Sequence, residues 1–134
     1  MIHDMILKSV FRLSLFLFAC LFVIGCSGGK VSVTGTVKFQ DGTPLKQGSV
    51  VLESEELAGQ GRIGQDGSFT IGMTRDGQGI QPGTYKVAIV DVQTGPGEYL
   101  IAEKYQSVTQ SGITFEVKPS GLNQLDITVE APGK

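Results

Sequence analysis

The chain is short of the side chains on which most enzyme chemistry rests. It has one histidine, His3, two cysteines, Cys20 and Cys26, and no tryptophan. His3 lies ahead of an apolar run near the amino terminus, so everything after that run is without imidazole. Neither a Ser-His-Asp nor a Cys-His arrangement can then be assembled, and zinc loses its usual nitrogen ligand. Ser-Lys chemistry and paired carboxylates survive this test, but no spacing in the sequence singles out such a pair. The reading is a non-enzymatic protein with no cofactor and no metal. One of the two cysteines falls inside the apolar run, so there is no disulfide framework. Basic residues are scattered rather than clustered, which argues against nucleic acid as a partner.

Long apolar runs are scarce too. There is one, residues 13–24 (LSLFLFACLFVI), broken by Ser14 and preceded by Lys8 and Arg12. A membrane-spanning helix takes roughly 20 apolar residues, whereas about 10–14 suits the core of a signal peptide. Basic flank, apolar core and small residues at its end are the parts of a secretory signal helix. The start is Met1 or Met5; the second would leave a cleaner basic flank.

The end of the run has a pattern of its own. Val23-Ile24-Gly25-Cys26 resembles the bacterial lipobox, in which an aliphatic and a small residue lead directly to Cys. That resemblance implies cleavage between Gly25 and Cys26, diacylglycerol on the Cys26 sulfur and acylation of the new amino terminus. Cys20 fits less well, because Phe18 is bulky two positions before it and apolar residues continue after it. The alternatives are an ordinary signal peptide with a buried cysteine, or an uncleaved anchor helix. The chain then divides into a signal peptide (1–25), a lipidated Cys with a short tether (26–30), one folded domain (31–130) and a tail (131–134). One acyl chain holds a protein only reversibly, so a triacylated Cys26 is the firm anchor and the bilayer the first partner. Ser27 to Lys30 reach roughly 14 Å at most. Ser rather than Asp at position 27 leans, by resemblance to a known sorting rule, towards the outer membrane, with the domain facing the periplasm.

From Cys26 onward the chain carries nine of the eleven basic residues (all but Lys8 and Arg12) and twelve of the thirteen acidic ones (all but Asp4), a formal charge near −3. Short alternating runs fill this part. In "VSVTGTVKF" Val31, Val33, Val37 and Phe39 alternate with polar residues, the period of a half-buried strand. "SVVLESE" is a second strand, and "GQGRIGQ" and "GSFTIGM" flank Asp66-Gly67, a tight-turn dipeptide. Phe69, Ile71 and Met73 share a face, as do Tyr85, Val87 and Ile89 in "TYKVAIVDV". "ITFEV" and "LDITV" close the chain. Residues 93–111 are longer and less regular, and no stretch has sustained helical periodicity. Seven strands at intervals of about 8–15 residues predict an all-β fold, a single antiparallel β-sandwich.

"VTGTVKFQDGTPLKQGSVVLES", "GQDGSFTI", "QPGTYKVAIV" and "EKYQSVTQSGITFEVKPSGLNQLDITV", in that order, resemble the small lipoproteins of planctomycete-type bacteria that carry a carboxypeptidase-regulatory-like or transthyretin-like domain. The most specific piece is Lys104-Tyr105, then Ser111-Gly112, with Asn123 opening the last strand. The resemblance implies a prealbumin-like (Ig-like) seven-stranded sandwich and almost no biochemistry. Transthyretin-like hydrolases of hydroxyisourate depend on histidines that this chain lacks beyond His3. The expectation is a structural or protein-interaction module of the cell envelope. The alternative is a carbohydrate or small-molecule module at the loop end near Tyr99 and Tyr105, because tyrosine offers a flat apolar face with a polar tip. The bland version of that cluster has Tyr105 covering an open end of the sandwich, its hydroxyl on backbone, and Leu100-Ile101 as a short edge strand. Asp66, Asp76 and Asp91 are too sparse for a calcium loop and read as turn residues. "ESEE" (53–56) reads as a solvated hairpin end. Lys38 and Asn123 raise the thought of an isopeptide bond, although Lys38 has the outward phase.

Overall fold

The alternation in the sequence is the alternation that fills the core. The computed structural model describes residues 29–72 and 79–133. In β1 (Val33–Phe39), Val33 and Val37 are fully buried while Thr34 and Lys38 face outward. β2 (Ser49–Glu53) buries Val50 and Leu52, and β4 (Ser68–Ile71) buries Phe69 and Ile71. β5 (Gly83–Val90) buries Tyr85, Val87 and Ile89, and β9 (Gln124–Val129) buries Leu125, Ile127 and Val129. β3 (Ala58–Arg62) turns two glycines inward, Gly59 and Gly61. β8 (Thr114–Val117) buries only Val117 fully and leaves Phe115 half-buried.

Three sheets result. β4-β1-β9 form one and β3-β2-β5-β8 another, with β6 (Gln93–Gly95) and β7 (Glu98–Tyr99) as a two-stranded third. The core cluster draws side chains from both larger sheets, so the packing is sandwich-like. A single, uniformly antiparallel seven-stranded sandwich needs correcting in two respects. Nine strands are present among the described residues, because residues 93–99, read from the sequence as irregular, make a small bulged hairpin. It has no alternating apolar residues to announce it. The second correction is that β9 runs parallel to β1, with Thr34 opposite Gln124 and Phe39 opposite Val129. The chain leaves β8 in one sheet and crosses to the other at the end where β1 begins, so it must run alongside β1. Gly35 makes this seam close, since a Cβ there would collide with the Leu125 carbonyl.

One side of the sandwich is joined by a bridge between Gln60 and Gly72, which links β3 to β4 across the sheets. On the other side the outermost strands are β8 and β9. Residues 100–112 pass between them. The Ala102 N–H donates to the Glu130 carbonyl at 3.0 Å, Ile101 and Tyr105 enter the core, and the Ser111 hydroxyl donates to the Val87 carbonyl on β5.

Candidate functional site

Tyr105 takes the bland role, covering the core, rather than sharing a ligand face with Tyr99. Tyr105 lies in a 3-10 turn (Glu103–Gln106) and is 6 % exposed, its ring part of the core. The Lys104 ammonium sits 5.1 Å from the ring centroid. Lys104 also bonds Glu130 at 3.3 Å, and this bond, with the adjacent Tyr105, raises its pKa above the usual lysine value. Tyr99 is half-buried in β7, opposite Gln93. The hydroxyl that does reach backbone belongs to Tyr85, which donates to the Gln81 carbonyl at 2.7 Å. Leu100 and Ile101 follow β7 rather than forming an edge strand of their own.

The residues most specific to the sequence resemblance turn out to be fasteners. The buried Ser111 hydroxyl holds the Val87 carbonyl and accepts from the Ile113 N–H at 3.2 Å, tying the loop to β5 at the point where β8 begins. Gly112 takes a φ of 71°, which an L side chain rarely adopts. Asn123, 4 % exposed, accepts from the Lys118 N–H at 2.8 Å and donates to the Lys118 carbonyl at 3.0 Å, closing the β8–β9 turn with both ends of one amide. That leaves no role for Asn123 in an isopeptide bond. Lys38 is paired with Thr128, five positions along β9 from Asn123 and therefore about 16 Å away at roughly 3.3 Å per residue.

The turn reading holds for Asp66, and Asp41 closes a turn in the same way. The Asp41 carboxylate accepts from the Thr43 N–H at 2.9 Å, which lowers its pKa. Asp66 accepts from the Ser68 hydroxyl at 2.6 Å and from the Ser68 N–H at 3.1 Å; the hydroxyl bond is the main cause of its lowered pKa. Asp91 adopts a φ of 59° between β5 and β6, and Asp76 lies outside the described residues. Among the described residues no group of three or more His, Cys, Asp or Glu is arranged to hold a metal ion. Gly25 and Cys26, with the whole apolar run, also lie outside them.

A concavity that the sequence did not suggest crosses the outer face of β2, β5 and β8. It is a groove of about 560 Å3 whose lining includes Glu53, Glu55, Glu56, Leu57, Lys86 and Val108. Glu53, Lys86 and Thr114 lie side by side on adjacent strands. The β2–β3 turn at its rim is closed by the Ser54 hydroxyl, which accepts from the Leu57 N–H at 3.1 Å. Neither Tyr99 nor Tyr105 lines it. Only its acidic rim, the ESEE run, stood out in the sequence; the rest comes from three strands and a distant loop that no local pattern joins.

No protein-family model matches the chain, and no curated protein does. Among solved structures it is similar to a DUF3823 family protein from Bacteroides ovatus, at 19 % identity and a TM-score of 0.46. The match covers 76 % of this chain and 45 % of that one, so this chain spans less than half the length of its structural neighbour.

Proposed function

We propose that this is a non-enzymatic, lipid-anchored protein of the cell envelope, held at the periplasmic face of a membrane by an acylated Cys26, the outer membrane rather than the inner. Its folded part is a structural or protein-interaction module of prealbumin-like type, as in the planctomycete-type lipoproteins its sequence resembles. Three- and four-stranded sheets packed on a common core support that fold. The lipobox-like Val23-Ile24-Gly25-Cys26 supports the anchor.

The observation that carries the interaction reading is the outer edge of β8. Ile113 accepts from the Val87 N–H at 3.0 Å, so by the antiparallel alternation residues 113, 115 and 117 bond towards β5. The N–H and C=O groups of Thr114 and Glu116 therefore point away from the sheet, and no described residue pairs with them. An incoming strand would find donors and acceptors already aligned. Proline tests this, because it is tolerated on an edge strand when the missing N–H faced outward. A photo-crosslinker at Thr114 in native cells should give a discrete protein adduct that Glu116→Pro abolishes without unfolding the domain. Adducts indifferent to Glu116→Pro, or none at all, would sink the interaction reading.

The alternative, a carbohydrate or small-molecule module at the loop end, loses the Tyr105 face to the core; the groove, away from that end, is the observation that favours a module of this class. Chemical-shift titration with neutral oligosaccharides decides it. Shifts confined to Leu57, Lys86 and Val108 would support a groove site, shifts at Tyr99 the loop-end site, and none would remove the reading.

A further inference from the structure

We propose that the β8–β9 turn, residues 118–122, is the domain's contact with the lipid surface, with Leu122 inserted into the interface; this rests on the reading of Cys26 as the anchor. Leu122 is the one large apolar side chain among the described residues that stands exposed, at 79 %. Its place in the fold makes that exposure informative. Thr34 pairs with Gln124 and donates its N–H to the Asn123 carbonyl at 3.0 Å. The parallel ladder begins at this pair, so the β8–β9 turn lies at the end of the sheet where β1 starts. From Cys26 to Ser32 is six residues, a reach of roughly 21 Å at full extension. The exposed leucine is thus on the end of the sandwich where the tethered chain arrives.

The surroundings suit a bilayer better than another protein strand. Exposed Lys118 opens the turn, and exposed Lys30 lies just ahead of β1, which starts at this end; both carry the charge that phosphate headgroups attract. The acidic turn with Glu55 and Glu56 continues β2, which is two strands from β8 and therefore about 10 Å to the side. An orientation resting on the β8–β9 corner presents the lysines and Leu122 while holding those carboxylates clear. The turn is also preset: Asn123 clamps both backbone groups of Lys118, and Gly121 takes a φ of 85°. Little ordering is left for binding to impose.

The absence of tryptophan makes the test direct. Leu122→Trp and, at the opposite end of the sandwich, Gln65→Trp each introduce a sole indole at an exposed position. Each full-length variant is purified from its membrane, its intact mass measured, and the protein reconstituted in vesicles of brominated phosphatidylcholine. The inference expects a mass beginning at Cys26 with diacylglycerol, and loss of indole emission at position 122 but not at 65. An acylated mass with equal emission from both positions would overturn the lipid contact and leave the anchor standing. An unmodified Cys26 would overturn both, and the mass spectrum alone would show it.

Discussion

Two kinds of connection hold the strands in register, and they differ in what water can replace. At the β8–β9 turn and at the start of β8, buried Asn123 and Ser111 bond to backbone. At the Asp41 and Asp66 turns, exposed carboxylates accept from the backbone N–H groups of Thr43 and Ser68. The chemistry is alike, a side-chain polar atom on a backbone group. The consequence of losing it is not. A buried group left without its partner carries its desolvation cost, about 1–3 kcal/mol, while an exposed one rebonds to solvent. The buried pair therefore specifies how the two sheets connect, and the exposed pair only shortens the search for a turn.

The largest effect is expected at Asn123. Asn123→Ala removes two hydrogen bonds made by a buried amide and should lower stability by about 2 kcal/mol, roughly 1 kcal/mol per bond. The urea midpoint should fall while the slope of the transition stays unchanged. Asn123→Asp sharpens the point, because it keeps the acceptor for the Lys118 N–H but sets a carboxylate against the Lys118 carbonyl. It should cost as much as alanine near neutral pH and less in acid. Ser111→Ala comes next, at about 1–2 kcal/mol, for the lost bond to Val87 and the unpaired Ile113 N–H. If either buried variant proved as mild as the aspartate variants below, the distinction between the two regions would collapse.

How far this was legible in the sequence follows the same division. Period-two alternation marked Val33 and Val37, Phe69 and Ile71, and Leu125 to Val129, because a strand with one buried face leaves that trace. It could not mark Leu45, Ile63, Val92 and Ile101, which enter the core from turns and connections with no period. Nor could it give the direction of β9, since parallel and antiparallel neighbours alternate alike. Tyr105 was ambiguous for a physical reason: an aromatic ring in a non-periodic stretch suits a ligand surface and a core plug equally well. Ser111 and Asn123 stood out by resemblance, but only the folded chain brings them to the backbone groups they bond.

A smaller effect is expected from Tyr85, whose ring is buried but whose hydroxyl reaches the exposed Gln81 through its carbonyl. Tyr85→Phe should cost about 1 kcal/mol at pH 7. Burial raises the Tyr85 pKa above its ordinary 10.0. A group raised on folding contributes stability below its unfolded value and loses it as pH climbs towards the folded one. The native protein should therefore weaken above about pH 10, and Tyr85→Phe should lessen that loss. Parallel alkaline slopes in the two proteins would mean that the hydroxyl ionises as freely in the fold as outside it.

The smallest effect, and the one that isolates exposed turns from buried fasteners, belongs to Asp41 and Asp66. Both carboxyls are held below their ordinary value of 3.8, Asp41 chiefly by the Thr43 N–H and Asp66 chiefly by the Ser68 hydroxyl. For a carboxyl lowered on folding, the contribution is complete above the unfolded value and drains away as pH falls through the folded one. Its window therefore opens near pH 3.8 and extends downward. The Asp41→Asn, Asp66→Asn double variant should match the native protein closely at pH 7, because asparagine can still accept the turn bonds. Below pH 3.8 its urea midpoint should fall less steeply than that of the native protein. Asn123→Ala should shift the midpoint by the same amount at both pH values, since no proton is involved. An acid slope unchanged by the double variant would assign the loss to other carboxylates and strip these turns of their share in it.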